Sequence, residues 1–338
     1  MAKKKSLEDK ARYNFLTTAK AIARNCPTLH SAGRNLTVMY LEGKLDEVYN
    51  RDTCVADIQK ILLRKSKANV LLTGPAGCGK TAIAERLAAV LAHRAIEQTA
   101  KEIKADEEHF TACREWDKAQ GESWENGEDF DAPAPKKVDV PKGMLSDIIL
   151  FELSLTALTA GTRYRGDFEE RVQNILNECK QYPNIVLFID EIHQITKAGS
   201  SDNSEGVAQM LKPALARKDI CVIGATTTDE VKFILEDKAL ARRFNEIKVA
   251  PLHGSVAVQT AENILADYAK FHNIQVNIGY ANQIVDKLAY FLPKTVFPDN
   301  FINVVDETLA GAKFDNLTEV DMSHFNAVLS RMAGVVIL

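Results

Sequence analysis

The chain has 338 residues, 46% of them hydrophobic and 26% charged, and a formal net charge of −4. That length suggests two or three domains of ordinary globular composition. The charge excludes a global basic field for nucleic acid, and no apolar run in the sequence is long enough to span a membrane.

The amino terminus, Met1-Ala2-Lys3-Lys4-Lys5, is basic but lacks the apolar core of a signal peptide. The six cysteines (Cys26, Cys54, Cys78, Cys113, Cys179, Cys221) are scattered, with no C-x-x-C pair or Cys/His cluster. Neither a zinc site nor a disulfide framework is expected, and reduced thiols suit a cytoplasmic protein. Residues 1–34 form an extension in which Phe15, Leu16, Ala19 and Ile22 predict one face of a short helix. Further on, Ile58, Ile61 and Leu62 suit a second helix.

Val70-Leu71-Leu72 then leads as a strand into Gly74-Pro75-Ala76-Gly77-Cys78-Gly79-Lys80-Thr81. This matches G-x-x-x-x-G-K-[ST], whose backbone N–H groups cradle phosphates. A helix with Ile83, Leu87, Val90 and Leu91 on one face follows. Its positive end faces the same anion. Lys80 is placed to reach the β- and γ-phosphates of ATP, and the Thr81 hydroxyl to ligand Mg²⁺.

Residues 97–139 differ in character: 13 Asp/Glu against 6 Lys/Arg give a net −7, leaving about +3 for the rest of the chain. Both tryptophans, Trp116 and Trp124, lie here, and Ala132-Pro133-Ala134-Pro135 closes the segment like a linker. It reads as a solvated, partly helical or disordered excursion. A partner-binding insertion is the alternative, because two tryptophans expose unusual apolar area.

Ile148-Ile149-Leu150-Phe151 is a buried strand, and the loop Thr162–Gly166 follows it. Asp167 and Glu170 form a capping box for a helix with Phe168, Val172, Ile175 and Leu176 on one face. Ile185-Val186-Leu187-Phe188-Ile189 is apolar throughout, as a central parallel strand requires, and ends in Asp190-Glu191. A Gly/Ser-rich loop and a helix carrying Met210, Leu211 and Leu215 lead to the strand Ile220–Ile223, which runs out into Ala225-Thr226-Thr227-Thr228. Glu246-Ile247-Lys248-Val249 alternates and reads as an edge strand. After Pro251 only helical faces recur. The expected architecture is a doubly wound, parallel, five-stranded α/β sheet (35–252) followed by a small helical lid (253–338).

Ligands of such sheets bind at the carboxyl ends of the strands. The phosphate loop, Asp190-Glu191 and Thr227 all fall there. Asp190 is placed to hold Mg²⁺, Glu191 to orient and deprotonate the attacking water, and Thr227 to set a hydroxyl near the γ-phosphate. Arg242-Arg243, at the start of the edge strand, reads equally as a solvated pair or as an arginine finger reaching a neighbouring subunit.

Several blocks now occur in a fixed order: Glu42-Gly43-Lys44-Leu45-Asp46, the phosphate loop, Tyr164-Arg165-Gly166-Asp167-Phe168-Glu169-Glu170-Arg171, Phe188-Ile189-Asp190-Glu191-Ile192-His193, Met210–Arg217 and Gly224-Ala225-Thr226-Thr227. With these the chain resembles the first AAA+ module of the Clp ring-forming protein unfoldases, from about Leu36 onward and apart from the acidic insertion. The resemblance implies trans-acting fingers at Arg242 and Arg243, a polar sensor at Thr227 and a polypeptide-gripping aromatic at Tyr164. It further implies adenine contacts at Val48, Tyr49 and Ile264, and a second pore loop at Gly199–Gly206. The chain departs from the family at Asn50, where a glycine is usual, and at Asn300, where a lysine is usual. The family's N-terminal adaptor domain and second module are missing from the sequence, which implies a single-tier form.

The resemblance implies an ATPase of Clp type, hydrolysing ATP with Mg²⁺ in a homo-hexameric ring that threads polypeptide substrates through its pore. A regulatory subunit that joins or caps another Clp ring or a peptidase is the alternative. A nucleic-acid motor is disfavoured by the net charge and by Tyr164.

Overall fold

The computed structural model describes residues 6–126, 129–159, 165–197, 213–215 and 220–337. Tyr164, the loop Gly199–Gly206 and the helix positions Met210 and Leu211 lie outside the described residues.

The chain opens with helices α1 (Leu7–Asn25) and α2 (Pro27–Ala32), a three-residue strand β1 (Gly33–Asn35) and helix α3 (Leu36–Leu41). Helix α4 (Asp52–Leu62) and strand β2 (Asn69–Thr73) precede the phosphate loop, and α5 (Lys80–Asn126) leaves it. Then come β3 (Ile149–Leu153), α6 (Leu155–Thr159), α7 (Arg165–Gln181), β4 (Ile185–Ile189) and α8 (Gln194–Lys197). Strand β5 (Cys221–Thr226), helices α9 (Val231–Glu236) and α10 (Lys238–Ala241) and strand β6 (Phe244–Lys248) complete the α/β part. The carboxyl-terminal part holds α11 (Gly254–His272), β7 (Gln275–Val276), α12 (Tyr280–Phe291), α13 (Asp299–Phe314), β8 (Glu319–Val320) and α14 (Met322–Ala333).

The main sheet has the order β1-β3-β4-β5-β2-β6, with β2 pairing in parallel to both β5 and β6. Strands β2 and β4 are buried at every position, whereas β6, at the sheet's end, is not, as its alternating sequence requires. The sheet has six strands rather than the expected five. The extra one, β1, pairs antiparallel to β3, Gly33 opposite Leu153. It is short and carries no alternating pattern, so the sequence does not announce it.

One further expectation changes. Helix α7 begins at Arg165, so Asp167 lies inside its first turn rather than at the cap, where it still favours the positive helix end. The acidic segment is partly helical, one of the two readings the sequence allowed: α5 continues unbroken for 47 residues, about 70 Å at 1.5 Å per residue, and residues 129–143 follow it without regular structure. The apolar face of α5 ends near Ile103, but strong helix formers and the pairs Gln98–Glu102, Lys104–Glu108 and Lys118–Glu122 at i,i+4 carry it onward. The chain then doubles back along the helix. Trp116 donates its indole N–H to Ala132 O at 2.9 Å and meets Phe130 edge to face, Lys137 pairs with Asp106 at 2.6 Å, and Gln98 reaches Pro141 O and Gly143 N.

By compactness the chain divides into Met1–Asp46, Leu87–Leu187 and Asp219–Cys221 on one side, and Glu47–Arg86, Phe188–Lys218 and Val222–Leu338 on the other. In the first unit α1 buries Ala11 and Phe15 with Leu41 and with Ala92, Ala95 and Ile96 of α5. In the second, α11 to α14 build a core of their own around Leu265, Ile284, Phe301, Leu309 and Phe325. The second unit also contains the phosphate loop and the other residues of the candidate active site described next.

Candidate active site

Strand β2 is uniformly apolar and buried, so it fixes where the loop Gly74–Lys80 begins. Gly77 and Gly79 have φ of +77° and +86°, a left-handed backbone that side-chain-bearing residues rarely adopt. The turn they allow lets successive N–H groups converge, the arrangement that binds phosphate. A β-carbon on Gly77 would also stand 2.8 Å from the Asp299 side chain at the start of α13. The lid helix thus closes on the loop at glycine distance. Cys78 is fully buried, and burial pushes its thiol pKa above the ordinary value.

Lys80 donates to two carbonyls of its own loop, Gly74 O at 3.0 Å and Pro75 O at 2.9 Å, so its cation is held at the loop. Thr81 donates from Oγ1 to Asp190 Oδ2 at 2.7 Å. The two residues are 109 positions apart in the chain, and the strand ends bring together an alcohol and a carboxylate. These are hard oxygen donors of the kind Mg²⁺ takes. The residues present therefore fit a Mg²⁺–nucleotide group.

Glu191 follows directly. Its φ is +49°, an uncommon conformation for glutamate, held by Gln194 N donating to Glu191 O at 2.8 Å and Ile192 N donating to Ala225 O at 3.0 Å. This strained turn presents an exposed carboxylate, which accepts a hydrogen bond from Gln194 Nε2. Thr227 donates to Glu230 Oε2 at 2.8 Å. Glu230 in turn lies 3.2 Å from His193 Nε2, and His193 Nδ1 meets Thr226 Oγ1 at 3.0 Å. His193 is buried, so the turn after β4 and the end of β5 share one hydrogen-bonded unit.

Val48 and Tyr49 are half-buried beside the lid helix α11. Tyr49 Oη donates to Asp267 Oδ2 at 2.7 Å, and burial, then that hydrogen bond, pushes the phenol well above its usual pKa. Asn50 adopts φ +55° and donates from Nδ2 to Thr260 Oγ1 at 2.8 Å. Ile264, in the same helix, packs partly against the helical core. Arg242 and Arg243 stand immediately before β6, which runs parallel to β2 with Asn69 opposite Phe244 and Thr73 opposite Lys248. They lie at the strand end remote from the phosphate loop, a strand of five residues away, or about 17 Å. Arg242 is exposed, whereas Arg243 donates to Ala239 O at 2.6 Å.

Sequence reasoning missed Arg51. Only 6% exposed, it donates to Cys78 O in the phosphate loop at 2.5 Å and to Ala250 O, just past β6, at 3.0 Å. Burial lowers its pKa. His193 and Glu230 were also missed. Their partners lie far away in sequence, so no local pattern marks them. A separate groove of about 880 Å³ lies in the lid, lined by Val258, Glu262, Val285 and Phe297 among others and by none of the phosphate-loop residues.

A strand-borne phosphate loop with an acidic pair at a neighbouring strand end occurs in several ATPase groups, and comparison decides between them. The model for the "ATPase family associated with various cellular activities (AAA)" matches residues 70–252. The chain belongs to this family. It is 34% identical over 286 residues to the ATP-dependent Clp protease ATP-binding subunit ClpL of Staphylococcus aureus (strain USA300), covering 83% of this chain and 34% of that protein. Among solved structures it is similar to the S. cerevisiae Hsp104-ADP complex, with a TM-score of 0.69, 31% identity, and coverage of 91% of this chain and 46% of that one. The closed-state reconstruction of Hsp104 with ATPyS and FITC casein gives a TM-score of 0.68 at 31% identity, covering 91% and 45%. This AAA chain therefore spans about a third of the length of the curated relatives it matches.

Proposed function

We propose that the chain is an ATP-hydrolysing motor that remodels proteins, working as a homo-hexameric ring that threads polypeptide through its pore. The observation that carries the reading is Thr81 Oγ1 at 2.7 Å from Asp190 Oδ2, beside the phosphate loop and next to Glu191. Thr81 and Asp190 would hold Mg²⁺, which when bound neutralises charge on phosphate oxygens. The loop Gly74, Pro75, Ala76, Gly77, Cys78 and Gly79 would bind phosphates through backbone N–H groups, with Lys80 adding its cation. Val48, Tyr49 and Ile264 would frame adenine. Glu191 is the general base, its carboxylate exposed on a strained turn. Thr227, shared with Glu230 and His193, would sense the γ-phosphate end of the site.

Arg242 and Arg243 act in trans in this reading, because their own phosphate loop lies at the other end of the paired strands. Tyr164 grips substrate, since an aromatic ring contacts any backbone without demanding a sequence. Residues 35–252 are the ATPase subdomain and 253–338 the lid, in a cytoplasmic protein. A regulatory subunit that joins another Clp ring or a peptidase is the second reading, favoured by the exposed Trp124 on the projecting helix.

The test is Glu191→Gln. ATP binding should persist while turnover falls about 10²-fold or more, the range for a positioned general base. Unchanged turnover would refute the mechanism.

A further inference from the structure

The outer half of α5 presents an apolar face that stays largely exposed among the described residues. The returning segment shields Trp116, but Phe110 and Trp124 stay 64% and 83% exposed. They are fourteen residues apart, which places them within about 40° of each other on one helix face. Around Trp124 the charge is strongly one-sided: residues 115–131 hold seven Asp/Glu and one Lys. Such a tip repels nucleic acid and anionic lipid, so its occupant is a protein surface that is basic around an apolar centre.

The same chain carries that counterpart. Lys60, Arg64, Lys65 and Lys67 crowd the turn between α4 and β2, and no Asp or Glu occurs from Ile58 to Ala84. All four are exposed, and between them Leu63 is 49% exposed. Lys60 spends part of its charge on Asp57 and Arg64 bonds Asn245, whose carboxamide is neutral. Lys65 and Lys67 keep the patch positive. One surface is acidic around an indole; the other is basic around a leucine.

We propose that in the assembled protein the α5 arm of one copy docks on the Lys60–Lys67 turn of another copy, Trp124 seating against Leu63. Helix α5 runs from Ile103, its last residue packed on the α1 core, to Asn126, a projection of about 35 Å. The contact joins two different surfaces, so it is heterologous and propagates around a ring without pairing copies off. The proposal deepens the ring assembly above and rests on it. An indole ringed by desolvated polar groups is the residue type that dominates such contacts.

The experiment places benzoylphenylalanine at position 124 of the full chain and mixes it with ¹⁵N-labelled wild-type chain and a non-hydrolysable ATP analogue. Assembly is followed by sedimentation, and photo-crosslinks are mapped by mass spectrometry. The expected product joins position 124 to a labelled peptide containing Lys60–Lys67. Lys65→Glu with Lys67→Glu in the labelled chain should remove it, and Glu122→Lys with Glu125→Lys in the other chain should restore it. Trp124→Ala should weaken assembly tenfold or more. Rings that form while position 124 links only within its own chain, to another arm, or elsewhere on the neighbour overturn the docking and leave the ring standing. Absence of any assembly overturns the ring and the docking with it.

Discussion

Arg51→Met tests whether the phosphate loop is held from behind. The guanidinium is buried and forks between Cys78 O and Ala250 O, tying the loop to the chain just past β6. Removing it strands the carbonyl of buried Cys78, at a cost of about 1–3 kcal/mol when left without a donor, whereas Ala250 is exposed and its carbonyl turns to water. Against this stands the desolvation that lowers the arginine's own pKa, a cost a methionine of similar length does not bear. The balance is a loss of about 1–2 kcal/mol in urea unfolding, with fluorescent-nucleotide affinity down tenfold or more because the loop loses its anchor. Arg51→Lys should recover only part of either, since one ammonium cannot reproduce the planar fork. A methionine variant within about 0.5 kcal/mol of wild type, with unchanged nucleotide affinity, refutes the reasoning.

Two further predictions follow from side-chain placement. Arg242→Ala should lower turnover more than Arg243→Ala, because Arg242 is exposed while Arg243 is engaged by Ala239 O; equal losses in a steady-state ATPase assay, or full activity in a strictly monomeric sample, would refute the trans assignment. Cys78 should resist maleimide labelling through pH 8, since burial raises its thiol pKa and suppresses the reactive thiolate; rapid modification of Cys78 seen by peptide mass spectrometry would contradict the buried loop.

What was legible in the sequence was local. The phosphate loop announces itself because glycines, lysine and threonine at fixed spacing must follow a strand and open a helix, and both are written beside it. Asp190 and Glu191 were legible because five apolar residues define the strand that they end. The long α5 was not legible as one helix, since apolar periodicity is the main sequence signal and it stops where the core stops. Past Ile103 propensity, charge pairs at i,i+4 and a few contacts with the returning segment hold the helix, none of which shows as apolar periodicity, and such a segment reads like a solvated loop.

The left-handed residues carry the argument one step further. Asn50 stands where the resemblance implies a glycine, and its φ of +55° fits such an exchange: asparagine is among the few side-chain-bearing residues that enter this region readily. Unlike glycine it then supplies a donor, to Thr260 in α11, so a backbone requirement has become a tie between the segment before α4 and the lid. Glu191 meets the same backbone demand with a side chain ill suited to it. A glycine or asparagine would be easier there, yet neither could act as a base. Neighbouring bonds must over-determine the turn for the strain to persist, and the structure supplies them: Ile192 N to Ala225 O, Gln194 N to Glu191 O, and His193 locked between Thr226 and Glu230. The carboxylate is therefore positioned by bonds to β5 and to residues just past it, and Thr227 shares Glu230 with that network. Thr227 is thus tied through Glu230 to His193, two residues along the turn from Glu191.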